Sequence, residues 1–346
     1  HGGVRLSELR RWGLEAADVI DFSASVTPYG PSPMVREALR RAPLDRYPDV
    51  DSTELCESLS AHLSVPMEWI VAGNGATELI HAAARVWGGP GKAVGHHPPT
   101  FGEYAAAARA VGASIMSLGP ESLADERDSG CAMVYLCNPN NPTGEVLSLE
   151  SLARILQRMH PHVVVLDEAY IQFVQGRPTA LPLLERFPNL LIVRSMTKDY
   201  GLTALRLGYA VGHPEVVSAL GQQLPPWSVN GLAQAAGVAA LRDTAYLDVT
   251  LERVRRAKSQ LVGALKRQGW SVFPGQANFV LIEVESARET RAALARQGLL
   301  VRDCSSFGMP QFIRVAVRRP ADNRRLLAAL ADMRLDTIVG PGNEVE

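Results

Sequence analysis

Short apolar runs alternate along the first two thirds of the chain with longer stretches whose apolar residues recur every three or four positions. The runs at 69–72, 92–95, 113–117, 132–137, 163–166, 190–193 and 207–211 are too short for helices and predict strands. Between two of them, 148–159 opens on Ser148 and carries Leu149, Leu152, Ile155, Leu156 and Met159 on one helical face, the pattern of a capped crossover helix. Segments 76–87 and 101–111 read the same way, and helices should fill most other gaps. Strands alternating with helices predict an α/β fold with a mostly parallel, seven-stranded sheet covered by helices. After the turn Leu224-Pro225-Pro226-Trp227, a helical stretch at 247–268 leads to strands at 271–273 and 279–284, a helix at 288–297, a strand at 313–317 and a helix at 321–333. That is a second, α+β unit. We assign 31–235 to a large domain and 1–30 with 236–335 to a smaller one, and expect 336–346 to fray.

Composition narrows the class. The chain has 346 residues, 47% of them hydrophobic and 21% charged, with a net charge of −1, which suits a well-packed protein and argues against a nucleic-acid-binding surface. No apolar stretch approaches the roughly 20 residues of a membrane span. His1-Gly2-Gly3-Val4-Arg5 lacks the apolar core of a signal peptide, and Cys56, Cys131, Cys137 and Cys304 include no Cys-x-x-Cys pair, so reduced thiols and a cytoplasmic protein are expected.

The chemistry-bearing residues sit just after the strand-like runs. Asn138-Pro139-Asn140-Asn141-Pro142-Thr143-Gly144 follows 132–137; Asp167-Glu168-Ala169-Tyr170 closes 163–166; Ser195-Met196-Thr197-Lys198 closes 190–193, and Arg206 comes eight residues later. Singly, each has an ordinary reading as surface lysine, helix cap, core tyrosine or turn. Together and in this order they match what pyridoxal phosphate needs: a lysine for the aldehyde, a carboxylate for the pyridine nitrogen, donors for the ring oxygen and a cation for the phosphate. Lys198 then also carries protons, Asp167 keeps the ring nitrogen protonated, and Asn141 and Tyr170 donate to the ring oxygen.

These positions lie where open α/β sheets bind ligands, outside the carboxyl ends of the strands. Gly73-Asn74-Gly75-Ala76-Thr77-Glu78 joins a strand to a helix N-terminus, and with the lysine motif present it reads as a phosphate cup completed by Ser195, Thr197 and Arg206. Phe101, in Pro98-Pro99-Thr100-Phe101-Gly102-Glu103-Tyr104, opens a helix and either stacks on the cofactor ring or serves as a hydrophobic staple. In Phe312-Ile313-Arg314-Val315-Ala316-Val317-Arg318, alternation sets Arg314 apart from Ile313, Val315 and Val317. Arg314 is therefore either solvated or a carboxylate clamp.

Nearly the whole chain resembles the fold-type I enzymes of the class I/II aminotransferase superfamily, in the branch holding histidinol-phosphate aminotransferases and the threonine-phosphate decarboxylases of cobalamin biosynthesis. His1-Gly2-Gly3, Asp21-Phe22-Ser23-Ala24, Arg46-Tyr47-Pro48-Asp49, Gly73-Asn74-Gly75, the lysine motif and Pro226-Trp227-Ser228-Val229-Asn230 are most similar to the decarboxylases. The resemblance implies that Arg314 binds a substrate carboxylate and Arg302, in Leu300-Val301-Arg302-Asp303-Cys304, a substrate phosphate assisted by His1. It also implies a homodimer in which Tyr47 reaches the partner's cofactor phosphate.

The chain departs from the decarboxylase pattern at Ser25 and Thr27, which replace two asparagines, and at Ala204, which replaces a glycine, while Pro28-Tyr29-Gly30-Pro31-Ser32-Pro33 is similar to the aminotransferases. On the resemblance we expect decarboxylation of threonine phosphate, with transamination between histidinol phosphate and 2-oxoglutarate as the alternative. Which Cα bond breaks depends on its angle to the ring, set by sub-ångström positioning. A non-catalytic binding protein of the same fold is the third reading. Against it, Lys198 and Asp167 are both retained and no basic helix-turn-helix stretch occurs.

Overall fold

The computed structural model describes residues 2–119 and 130–339. Thirteen strands are named in chain order: β1 (Ile20–Asp21), β2 (Ile70–Gly73), β3 (Ala93–His96), β4 (Ser114–Ser117), β5 (Cys131–Cys137), β6 (Val163–Asp167), β7 (Leu190–Ser195), β8 (Gly208–Gly212), β9 (Val272–Phe273), β10 (Phe279–Glu283), β11 (Leu299–Leu300), β12 (Arg302–Asp303) and β13 (Phe312–Ala316). Strands β2 to β8 form one seven-stranded sheet in the order β2-β8-β7-β6-β5-β3-β4. All its neighbours pair in parallel except at β8, which runs against both β7 and β2. The expected α/β sheet is thus present, with each strand within two residues of its expected bounds.

Alternation along β6 divides the core. Val163 and Val165 face a layer built by the helices Gly75–Trp87, Glu103–Ala110 and Pro214–Gly221, with Leu79, Ile80, Tyr104, Ala107 and Val193. Val164 and Leu166 face the opposite layer, where Leu55, Leu59, Leu152, Leu156 and Ala236 pack from the helices Thr53–Leu63, Leu149–Met159 and Gly231–Arg242. Each fully buried leucine contributes about 1.5–3 kcal/mol. Period-two alternation carries Asp167 to the Tyr104 side and Glu168 to the other, so one strand end serves two sites. The crossover helix starts where expected, with Ser148 Oγ accepting from the Ser151 amide at 3.1 Å.

A four-stranded antiparallel sheet, β12-β13-β10-β9, packs with the helices Thr244–Arg267, Ala287–Arg296 and Pro320–Val339 around Leu261, Ile282, Leu294, Ile313, Leu326 and Phe22. Phe22 belongs to a segment that joins the two sheets. Strand β1 pairs in parallel with β11; the Phe22 amide donates to Leu300 at 2.7 Å, Ala316 donates to the Phe22 carbonyl at 2.8 Å, and the Thr27 amide donates to the Lys198 carbonyl at 2.8 Å.

The last helix spans Pro320–Val339, and 340–346 of the tail expected to fray lie outside the described residues. Phe101 does not open its helix: the helix begins at Glu103, because Thr100 Oγ1 donates to Asn140 Oδ1 at 2.9 Å and Asn140 Nδ2 to the Pro99 carbonyl at 2.9 Å, holding the stretch as a loop. All four cysteines are buried, and none forms a disulfide among the described residues. No described helix is long and apolar enough to cross a membrane.

Candidate active site

The ends of β5, β6 and β7 lie side by side, with Cys137 paired to Asp167 and Asp167 to Val193 in register. Parallel pairing therefore delivers Asn141, Asp167, Tyr170 and Lys198 to one end of the sheet from loops that begin at the same level. Asp167 is buried; its Oδ2 accepts the Tyr104 hydroxyl at 2.8 Å and its Oδ1 the Ala169 amide at 3.0 Å. Burial pushes its carboxyl above the usual value, while the Tyr104 and Ala169 hydrogen bonds and the Lys198 charge pull it back. Lys198 is lowered to about 8, first by burial and then by the Arg314 and Arg206 charges. Burial likewise pushes Tyr170 up to about 12, against the pull of Arg314.

Antiparallel pairing of β8 puts Gly208 opposite both Gly73 and Ser195, so the glycine turn and the lysine motif share a border. Gly208 is required there, since a Cβ would come within 2.5 Å of the Ala76 amide nitrogen. Gly75 has a φ of +78° and lies under the Arg206 guanidinium, whose Nη2 a Cβ would meet at 2.8 Å. Arg206 itself is left-handed, with φ 59° and ψ 60°, a conformation that costs energy in a non-glycine residue. Ser195 Oγ and Thr197 Oγ1 are 2.6 Å apart. Glu78 reaches back so that its Oε2 accepts the Asn74 amide at 2.7 Å, leaving Ala76 and Thr77 at the opening turn of the Gly75–Trp87 helix.

Arg314 is not solvated. It is 4% exposed, donates to Asn141 Oδ1 through Nη1 and to the Ser23 carbonyl through Nη2 at 3.0 Å, and lies 4.9 Å over the Phe279 ring. Its Nε is buried without a partner among the described residues, as is Ser25 Oγ. Arg302 stands opposite Arg314 in the β12–β13 ladder, donates to Ser306 Oγ at 2.5 Å, and lines a recess of about 220 Å³ with Arg5, Ser23 and Arg291. Phe101 is partly buried, with Tyr104 edge-on at 5.6 Å. Tyr47 stands apart: it is 79% exposed and its ring packs on Trp227 at 4.8 Å. His1 lies outside the described residues.

Residues 17–330 match the family described as aminotransferase class I and II. The chain belongs to that family. It is 36% identical over 345 residues to histidinol-phosphate aminotransferase 2 of Ralstonia nicotianae, covering 95% of this chain and 92% of that protein. Among solved structures it is similar to the histidinol-phosphate aminotransferase of Clostridium acetobutylicum, with a TM-score of 0.83, 25% identity and coverage of 91% and 99%. It is also similar to the L-threonine-O-3-phosphate decarboxylase of Porphyromonas gingivalis, with a TM-score of 0.82, 27% identity and coverage of 91% and 99%. As a class I and II aminotransferase-family member the chain is an enzyme, and its cofactor is pyridoxal 5′-phosphate.

Two groups at this site escaped the sequence reading. One is Tyr104, whose signal was a tyrosine on an alanine-lined buried helix face, where a hydroxyl must find a partner. The other is Arg194 with Glu168: Nε and Nη2 donate to Glu168 Oε2 at 3.1 and 2.8 Å, and Thr179 and the Ala180 amide complete the carboxylate at 2.8 and 2.7 Å. This buried pair ties β6 to β7 directly behind Asp167 and Ser195.

Proposed function

We propose that this enzyme transfers the amino group of histidinol phosphate to 2-oxoglutarate, with Lys198 as the residue that holds the cofactor aldehyde and carries the proton. The observation that supports transamination over the decarboxylation expected first is the full-length, 36% identity to a histidinol-phosphate aminotransferase. Bound here, pyridoxal phosphate supplies an electron sink next to the substrate Cα.

The residues present fit that group. Gly75 leaves room at a helix N-terminus where Ala76 and Thr77 amides, Ser195, Thr197 and Arg206 would hold a phosphate. Asp167, oriented by two donors, would pair with the ring nitrogen. Asn141 spends its carbonyl on Arg314, so its NH₂ is left to donate to the ring oxygen beside the Tyr170 hydroxyl. Phe101, partly buried and edge-on to Tyr104, would cover one face of the ring. A lysine near pKa 8 has a substantial neutral share at mildly alkaline pH, the form that attacks an aldehyde and accepts a proton. Arg302 takes the phosphate of the amine substrate, assisted by His1, and the unpartnered Nε of Arg314 awaits a keto-acid carboxylate. The assembly is a homodimer, with the exposed Tyr47 completing the partner's phosphate site.

A second reading, decarboxylation of threonine phosphate, is favoured by the Porphyromonas structure and by the glycines after His1. The Gly3 amide donates to Ser23 Oγ at 2.7 Å, and Gly2 packs so closely that a Cβ would lie 2.2 Å from the Ser23 carbonyl that holds Arg314. Product analysis decides between them. Incubation with histidinol phosphate and 2-oxoglutarate should yield glutamate, and threonine phosphate should release no carbon dioxide; the opposite pair of results overturns transamination in favour of decarboxylation.

A further inference from the structure

The structure assigns to Tyr104 the positioning of Asp167: its hydroxyl fixes one carboxylate oxygen so that the other and the negative charge are held toward the cofactor ring. The inference rests on the proposed role of Asp167. Tyr104 is 1% exposed, on the Glu103–Ala110 helix, and its ring is clamped by Tyr135, stacked 9° from parallel at 5.0 Å, and by Phe101 edge-on at 5.6 Å. Such a ring cannot swing away, so the 2.8 Å bond to Oδ2 has one geometry. With Oδ1 held by the Ala169 amide at 3.0 Å, the carboxylate plane is defined from two sides, by a helix and by its own loop.

The bond also sets the charge state. Tyr104 is held far above its ordinary pKa by burial and then by the Asp167 charge, so across the working range it keeps the proton it donates to Asp167. A permanent donor favours the carboxylate form of a group that burial would otherwise protonate. The other titratable groups facing Asp167 are Cys137 on β5, Glu168 and Tyr170 beyond β6, and Lys198 beyond β7. Of these only Lys198 is cationic, and with burial lowering its amine to about 8 that charge is lost as the pH rises past this value. Tyr104 is then the side chain whose donation still keeps Asp167 ionised.

Tyr104→Phe tests this, because it removes only the oxygen and keeps the clamped ring. Tyr135→Phe is the control: its hydroxyl is equally buried but donates to the Ile80 carbonyl at 2.7 Å. We expect Tyr104→Phe to weaken cofactor binding to the apoenzyme by about tenfold, the value of a hydrogen bond to a charged group. It should also shift the pH at which the holoenzyme's visible absorption titrates, and lower kcat more than it raises KM. In an Asp167→Asn background the same substitution should change cofactor affinity by less than about twofold. Tyr135→Phe should change thermal stability but neither cofactor affinity nor the spectral titration. If Asp167→Asn weakens the enzyme while Tyr104→Phe leaves affinity and titration as in the wild type, or if Tyr135→Phe matches Tyr104→Phe, the positioning role is overturned. If Asp167→Asn itself changes neither affinity nor turnover, the reading of Asp167 falls and this inference with it.

Discussion

Arg302 and Arg314 are direct partners across the β12–β13 ladder, two like charges at the separation where cross-strand side chains touch. Burial and then Arg314 lower the pKa of Arg302, while Cys304 and Asp303 act in the opposite sense, and an anion set between the two guanidinium groups would relieve their repulsion. Such an arrangement favours a ligand, or two successive ligands, with negative groups at both positions.

We expect the two arginines to separate by half-reaction. Arg302→Ala should cost about 2–5 kcal/mol in kcat/KM for the phosphorylated amine, whereas Arg314→Ala should impose a loss of that size chiefly on the keto-acid half-reaction. Single-turnover absorbance with each substrate measures both. Equal losses in both half-reactions for both variants would contradict the division.

Loading of the apoenzyme should depend on pH through Lys198. With the amine at about 8, the neutral fraction and hence the rate of aldehyde capture should rise about tenfold per pH unit below that value and level off above it. The amine is harder to protonate folded than unfolded, so its charge detracts from stability at neutral pH. That cost fades as pH climbs from about 8 toward the ordinary lysine value. Stopped-flow absorbance follows capture, and borohydride reduction with peptide mapping should find the label on Lys198 alone.

The Glu168–Arg194 pair should matter for stability far more than its surface counterparts. Both side chains are almost wholly buried, and removing one leaves the other charged and unpaired, at a cost of about 3–5 kcal/mol. Urea unfolding of Arg194→Met should show that loss. Arg154→Ala, whose partner Glu150 is exposed, should lose less than about 1 kcal/mol.

Sharing of sites between subunits can be read from mixed dimers. Tyr47→Phe and Lys198→Ala subunits, dissociated and recombined, should give one site with both defects and one with neither. Activity above that of either parent is the expected result; no gain in verified mixed dimers argues against a shared site.

The large sheet was legible because its strands are local events: Val163 to Leu166 has no reading other than a buried strand, and its neighbours follow the same grammar. The motifs were legible because parallel strands end at a common level, so residues after successive runs converge. What local pattern could not carry was pairing between distant segments. Nothing in residues 207–211 signals that β8 runs against its neighbours, and two-residue β1 has too few positions to show a period. Arg314 sits in an alternating run whose two faces are both buried, so alternation left its environment open until Asn141 and the Ser23 carbonyl appeared beside it. Tyr104 and Arg194 acquire their meaning only through partners 63 and 26 positions away.

The stretch from Phe22 to Thr27 is bonded at one end to Leu300, two residues before Arg302, and to β13, which bears Arg314, and at the other to the backbone of Lys198. It therefore acts as a ruler. The reach from the lysine to the two guanidinium groups is written into a few residues of chain, and one inserted residue adds up to ~3.5 Å of contour. Substrate length in enzymes built this way can then drift by insertion or deletion in a single loop, with every catalytic side chain left in place.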